Sequence, residues 1–397
     1  MTRVCIVSAL YHPDLGGLGR QAMMLTERLR EEGLELFVIA RKMDFPGGAD
    51  FSRTIEVIRV PAPFPGTQIL EEKSFKNLII SVSFSIGCVV RLISRRKTYD
   101  IVHFHGASIP LILSLPFLKM MGKKTVAKVA AANLGTEAGS FSGRYGPLGT
   151  LLARMMKGVD AFVAISDEIR EGLIRDGIHP ERIHRISNFI DPEVFRPPAP
   201  EEKELVKEKL GYARTTLALF AGRLVERKGV ACLLDAWMEA SRDFPDARLL
   251  ILGEGPLRSM LEETVARLGL TNTTRFAGHV ENVAEHLRAA DLFVLPSLQE
   301  GMSNSLLEAM ASGVPIVATR IGGVMDVAEE GRTAMLVAPG DATDLSRGIR
   351  ALLADPILAQ AFASRALESI RSAFGLEARV KRYLHLYATT VRQDPVA

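Results

Sequence analysis

Little in this chain points to a covalent staple, a bound metal or a membrane crossing. There are three cysteines in 397 residues, Cys5, Cys88 and Cys232. They lie too far apart to form a paired or zinc-ligand spacing, which implies a reducing, cytoplasmic setting without structural zinc. No Asp-x-Asp pair is present to hold a divalent cation. Aromatics make up 6% of the chain, with a single tryptophan, and they are not interleaved with the basic residues. Without a binding motif beside them, nucleic acid is not an expected partner. Between Lys76 and Arg91 lie fourteen uncharged residues, fewer than the ~20 that cross a bilayer. The opening "MTRVCIVSALYHPDLGG" has a short apolar run but no small-x-small cleavage site. It reads as a first buried strand, not a signal peptide.

What is present fits a globular protein: 47% hydrophobic and 24% charged residues. The length exceeds what one hydrophobic core usually supports, so two domains are expected. A net charge of +3 hides an asymmetry. Residues 51–150 carry 13 basic and 5 acidic side chains, including "SFKNLIISVSFSIGCVVRLISRRK" and "PLILSLPFLKMMGKK". Two readings fit that stretch. One is a buried helix with a solvated basic end. The other is a face resting on anionic lipid, peripheral on the inner side of a membrane.

Short apolar runs alternate with amphipathic segments along the chain. "RVCIVSAL", "ELFVIA", "IEVIRV", "DIVHFHG", "KTVAKVA" and "AFVAIS" are followed by "LALFAGR", "RLLILGEG", "TRFAGH", "LFVLPS", "PIVAT" and "AMLV". Apolar strands separated by helices indicate parallel sheets covered on both faces. The stretch "NFIDPEVFRPPAPEEKE" breaks the pattern as a linker should. The expected architecture is α/β, with two Rossmann-like doubly wound parallel-sheet domains at 1–196 and 199–375. Such sheets bind ligands beyond the carboxyl ends of their strands, so a site in a cleft between two facing domains is expected.

"GLGRQA", Gly17 to Ala22, fits a dinucleotide fingerprint. In that motif, however, the first glycine follows its strand almost at once. Here Tyr11 to Leu15 intervene, so a nicotinamide cofactor is not expected. What remains is a glycine loop, Gly16 and Gly17, at a helix start, with Arg20 one turn in. Arg20 is placed to hold a phosphate or a hydroxyl of a substrate.

The segment "PSLQEGMSNSLLEAMASGVP" sets Glu300 and Glu308 on either side of a helix start near Ser303. The amides of Gly301, Met302, Ser303, Asn304 and Ser305 would attract a diphosphate there. Carboxylates repel phosphate but accept hydrogen bonds from the ribose and sugar hydroxyls beside it. Arg223 and Lys228, in "FAGRLVERKGVACLLDAW", supply two fixed cations for a departing diphosphate.

With these motifs assembled, the chain resembles the family-4 retaining glycosyltransferases of the GT-B fold almost end to end. The residues carrying the likeness are "GGLGR", "DIVHFHG", "ISDEIREGLIRDGIHPERIHRISNFIDPEVFRP", "AGRLVERKGV", "LGEGP", "FAGHV", "EGMSNSLLEAMASGVPIVAT" and the Gly322-Gly323 pair. The resemblance implies a nucleoside diphosphate sugar as donor, a hydroxyl acceptor, and no metal or further cofactor; the basic apolar face hints at an acceptor that is lipid-linked or a surface-glycan precursor. It implies that Arg223 and Lys228 bind the diphosphate, that Glu308 binds the ribose and that Glu300 holds a donor-sugar hydroxyl. Main-chain groups from Gly301 to Ser305 would approach sugar and phosphate. The Gly16–Gly17 loop would close on the diphosphate, and His279 and Val280 would flank the base. The C-terminal segment, about 376–397, would return to the first domain as a helix.

Many relatives carry a His-Gly after the strand matching "KTVAKVA"; this chain has Ala130 at that position. Lys128 or Asn133 could substitute for it, and His105 is the candidate for a histidine at the reacting centre, with His103 structural. No carboxylate of the first half stands out as a nucleophile. A front-face displacement, in which the leaving phosphate accepts the acceptor's proton, is therefore expected. Replacing Lys228 with alanine is expected to lower turnover far more than folding. Two other classes share the design: a sugar-nucleotide epimerase or phosphorylase, and a non-catalytic nucleotide-sugar-binding protein.

Overall fold

The computed structural model describes residues 2–11, 17–43, 55–64, 75–130 and 154–392. Contacts divide the chain into two compact units, Met1–Asn188 with Glu377–Ala397, and Phe189–Leu376.

In the first unit the apolar runs form seven strands: β1 (Arg3–Ser8), β2 (Glu35–Arg41), β3 (Glu56–Val60), β4 (Ile101–His105), β5 (Lys124–Val129), β6 (Ala161–Ala164) and β7 (Ile183–Arg185). They pair in the order β3-β2-β1-β4-β5-β6-β7. Every pairing is parallel. The order turns back at β1, the switch point of a doubly wound sheet. The described helices between them are α1 (Gly17–Glu31), α2 (Phe75–Ser94), α3 (Ile109–Met120) and α4 (Asp167–Arg175).

The second unit repeats the plan. Its strands are β8 (Thr216–Ala221), β9 (Ala247–Leu252), β10 (Thr274–Gly278), β11 (Leu292–Leu295), β12 (Ile316–Thr319) and β13 (Met335–Val337), in the order β10-β9-β8-β11-β12-β13. The helices are α5 (Pro200–Leu210), α6 (Val230–Asp243), α7 (Arg258–Arg267), α8 (Val283–Ala289), α9 (Asn304–Ala311), α10 (Gly322–Met325), α11 (Ala342–Ala354) and α12 (Pro356–Ala373). Trp237, Phe220, Leu249 and Ile349 sit in the core that seals α6 and α11 onto this sheet. The architecture is thus two parallel-sheet α/β units.

The last helix, α13 (Leu376–Arg392), rejoins the first unit from Glu377 onward. Val380, Tyr383, Leu386 and Tyr387 are buried on it, spaced three and four apart as one helix face requires.

Two sequence readings change here. The proline-rich stretch after Asn188 is no free tether: Phe189 and Phe195 are buried, and Ile190 pairs with Gly375. Both ends of the second unit are pinned together by that bridge, so the division falls at 188/189. The apolar stretch after Lys76 is a 20-residue helix, because Phe75, Lys76 and Arg91 to Ser94 extend the uncharged segment at both ends. It is not a buried helix with only its basic end in solvent. It keeps one apolar face exposed along its length.

Candidate active site

The chemistry-bearing loops of the second unit leave the carboxyl ends of β8 and β11, adjacent parallel strands. After β8 the chain makes a single 3-10 turn, Glu226–Lys228, and enters α6 through Gly229. Gly229 has φ +67°, and a Cβ there would lie 2.0 Å from the Pro296 carbonyl oxygen. Only glycine lets the two loops come so close. Their contact is fastened by the Leu298 amide, which donates to the Arg227 carbonyl at 2.7 Å.

This approach brings Lys228 onto Glu300. Both are almost completely buried, and the Lys228 ammonium donates to Glu300 Oε1. The Ser297 hydroxyl donates to the same oxygen at 2.8 Å, while Arg227 Nη1 lies 3.6 Å from Oε2. Thr319 on β12 donates in turn to the Ser297 carbonyl. The neighbouring main chain is held close by the Gly322-Gly323 pair. A Cβ on Gly323 would lie 2.4 Å from the Glu300 carbonyl oxygen and 2.6 Å from that of Gly301.

Helix α9 starts at Asn304. Ser303 is its N-cap, its hydroxyl accepting from the Leu306 amide at 3.4 Å and lying 3.1 Å from the Ser305 hydroxyl. Glu308, one turn later, is buried. Arg223 is half-buried just after β8. His279 is exposed and Val280 half-buried past the end of β10. Arg223, Lys228, Glu300 and Glu308 therefore all belong to loops or a helix start at the same edge of one sheet. Sequence reasoning missed Ser297, Arg227 and Thr319. Their roles depend on which backbone segments meet, and no spacing encodes that.

The buried pair corrects one expectation. Removing the Lys228 ammonium would strand the Glu300 carboxylate in the interior, at a cost of about 3–5 kcal/mol for a broken buried pair. Lys228→Ala is therefore not a variant that spares folding.

In the first unit His105 ends β4, and its register partner on β5 is Lys128. The Gly106 amide donates to the Lys128 carbonyl at 3.1 Å. Both side chains are buried, and among the described residues neither His105 ring nitrogen nor Lys128 Nζ has a hydrogen-bond partner. Burial, with His103 and Lys128 nearby, holds the His105 imidazole well below its ordinary range. Burial lowers Lys128 to about 7. His103, deeper on the same strand, has Nδ1 2.7 Å from the Tyr387 hydroxyl of α13. Its value falls to about 3, chiefly through burial and secondarily through Lys128. The i, i+4 pair Tyr383 and Tyr387 was readable as a helix face, but its packing on His103 was not. Gly17 and Arg20 lie in the first turn of α1. Ala130 follows β5 immediately. Gly16 and Asn133 lie outside the described residues.

Residues 15–194 match Glycosyltransferase Family 4, and residues 215–355 match Glycosyl transferases group 1. The chain is similar to the N-acetyl-alpha-D-glucosaminyl L-malate synthase of Bacillus anthracis, with 26% identity covering 96% of each chain. It is also similar to a D-inositol 3-phosphate glycosyltransferase of Geodermatophilus obscurus, with 29% identity over 89% of this chain and 81% of that one. Among solved structures, HepE of Anabaena in complex with UDP-glucose superposes with a TM-score of 0.79 at 18% identity, covering 98% of this chain and 100% of the other. WaaG, a glycosyltransferase involved in lipopolysaccharide biosynthesis, gives 0.77 at 20% identity, covering 97% and 99%. The fold is that of the GT-B glycosyltransferases.

Proposed function

The chain belongs to the group 1 glycosyltransferases of the family-4 type, and on that footing we propose that it moves a hexose-type sugar from a nucleoside diphosphate sugar to a hydroxyl acceptor, retaining the anomeric configuration. The observation that carries this reading is the meeting of the Lys228 loop with the Glu300 loop at the amide-rich start of α9. A cation, a carboxylate able to accept from a hydroxyl and the amides of a helix start, brought together by one loop pair, suit a sugar diphosphate.

In this proposal Arg223 and Lys228 bind the diphosphate, together with the amides of Gly301 to Ser305. They supply the charge neutralisation that a divalent cation would otherwise give, so the transfer is proposed to be metal-independent. Glu300 orients Lys228 and accepts a hydrogen bond from a donor-sugar hydroxyl. Glu308 accepts from the ribose, and Val280 with His279 lies against the base. In the first unit, Arg20 and His105 are assigned to the acceptor and its reacting hydroxyl, and the Gly16–Gly17 loop to the diphosphate. A neutral His105, kept so by burial, can hold that hydroxyl without carrying charge itself. The barrier is dominated by charge building on the leaving diphosphate, whose oxygen takes the acceptor's proton as the new bond forms. The finer proposal for the acceptor is a lipid-linked or surface-glycan precursor. That the relatives named above include a malate and an inositol phosphate enzyme supports a hydroxyl acceptor but not a particular one.

The test is a thermal-shift panel of UDP, GDP, ADP and their sugars, followed by turnover assays. A ligand at about 100 times its dissociation constant stabilises by roughly 2.7 kcal/mol, and one nucleotide series should do so. Arg223→Ala should lose on the order of 10²–10³-fold in kcat. Wild-type turnover in that variant at saturating donor would remove Arg223 from the mechanism. Donor turnover without acceptor would favour an epimerase, a requirement for inorganic phosphate a phosphorylase, and binding without turnover a non-catalytic protein.

A further inference from the structure

We infer that the outward face of α2 is a docking surface for an anionic lipid bilayer, on which the helix lies flat and does not cross. The helix Phe75–Ser94 is long and apolar enough to span, with a mean hydropathy of 1.8 in its best window. Its inner face is already occupied. Ile80, Phe84, Cys88 and Leu92 are buried, and Val60 of β3 comes so near that a Cβ on Gly87 would lie 2.2 Å from its Cγ1. A helix pressed onto its own sheet this closely cannot also be surrounded by lipid.

The opposite face is apolar too. Phe75, Ile79, Ile86, Val90 and Ile93 are all exposed, Phe75 at 79%, Ile86 at 58% and Val90 at 57%. At 100° per residue they fall within about 60° of one another around the helix axis, a single stripe. Solvated helix faces are normally polar, so a continuous apolar stripe marks an interaction surface. On α3, which packs beside α2, Phe117 and Met120 are exposed as well.

Charge selects the occupant. From Lys73 to Thr136, a span flanked by Glu72 and Glu137, the sequence holds ten Lys/Arg and one acidic residue, Asp100; of the ten, Lys128 is buried and Lys119 is paired with Asp160. Asp100 is consumed by an ion pair with Arg3. Arg91, Arg96 and Lys97 at the end of α2 are exposed, while Arg95 is committed to Glu56. Among the described residues, an apolar stripe with exposed Lys76 at one end and Arg91, Arg96 and Lys97 at the other matches the acyl–headgroup boundary of an anionic leaflet. A second copy of the same face would set cation against cation. The docking does not depend on the proposed transfer reaction.

The full-length protein is sedimented with vesicles of phosphatidylcholine alone and with vesicles in which roughly a third is phosphatidylglycerol, at low and high salt. Binding is expected to the anionic vesicles only and to fall with salt. The charge reversals Arg91→Glu, Arg96→Glu and Lys97→Glu should each weaken it on the order of fivefold. The double variant Ile86→Glu, Val90→Glu should weaken it at least about tenfold, with the melting temperature and any nucleotide-induced shift kept, since both side chains are exposed. Equal binding to neutral vesicles, or none to either kind, would overturn the proposal. So would a concentration-dependent dimer by light scattering that the double variant abolishes.

Discussion

An ammonium group with no partner inside a folded protein opposes folding, and Lys128 is such a group. It is fully buried on β5, and no described residue accepts from its Nζ. Burial lowers its value from 10.5 to about 7. Below pH 7 both folded and unfolded chains hold the proton, and the folding penalty is greatest. Between pH 7 and 10.5 the unfolded chain holds more protons, so this residue makes stability rise with pH across that window and level off above it. Lys128→Met should therefore stabilise the protein by about 1–4 kcal/mol near neutrality. The advantage should shrink as the pH climbs towards 10.5. Urea denaturation of both proteins across that range checks it; parallel pH profiles would show that Lys128 is solvated or paired after all. The contrast with Lys228 is instructive. It is also buried, but its ammonium donates to the Glu300 carboxylate. The sequence shows two lysines near two strand ends and says nothing about which has a carboxylate waiting.

At the scale of the element, the site depends on how two loops are allowed to touch. Gly229 combines a left-handed φ with a Pro296 carbonyl that leaves no room for a Cβ. Gly211, the C-cap of α5, has φ +82° but nothing within 4 Å of its missing Cβ. Gly211→Ala should thus cost only the conformational penalty, about 1 kcal/mol. Gly229→Ala adds displacement of the Pro296 backbone and should cost more than about 2 kcal/mol, weakening nucleotide binding at the same time. Equal stability loss in the two variants, by urea titration, would refute the close approach. Motif reading identified this loop by Arg223 and Lys228, not by Gly229. The reason it must be glycine lies 67 residues further along, in a backbone oxygen. The start of α9 was more legible, because a serine N-cap before an apolar helical run is a local signal.

At the scale of the molecule, the last helix is the feature most dependent on the fold. The segment from Glu377 onward belongs to the unit that begins at the other end of the chain. It buries Val380, Tyr383, Leu386 and Tyr387, and Arg379 Nε donates to the Ser187 hydroxyl at 2.8 Å. Burying one large apolar side chain stabilises by about 1.5–3 kcal/mol, so losing four, about 6–12 kcal/mol, is comparable to the whole 5–15 kcal/mol margin of an ordinary domain. A chain ending at Leu376 should lose the folded first unit while Phe189–Leu376 stays folded. Calorimetry would then show one transition instead of the two expected of the whole chain. Unchanged unfolding of both units would show that α13 is dispensable.

The alternation of apolar runs with helical segments, both being local patterns of side-chain polarity, determined two doubly wound units and their parallel strands. The combination of Glu300, Glu308, Arg223 and Lys228 determined the chemistry those units were expected to serve, because few ligands need cations, amides and hydroxyl acceptors together. Tertiary structure alone decided that Lys228 rests on Glu300, that Lys128 has no such rest, and that one side of α2 stays bare. Each of these depends on which distant segment packs alongside, and burial by a distant segment leaves no trace in the spacing of residues along the chain.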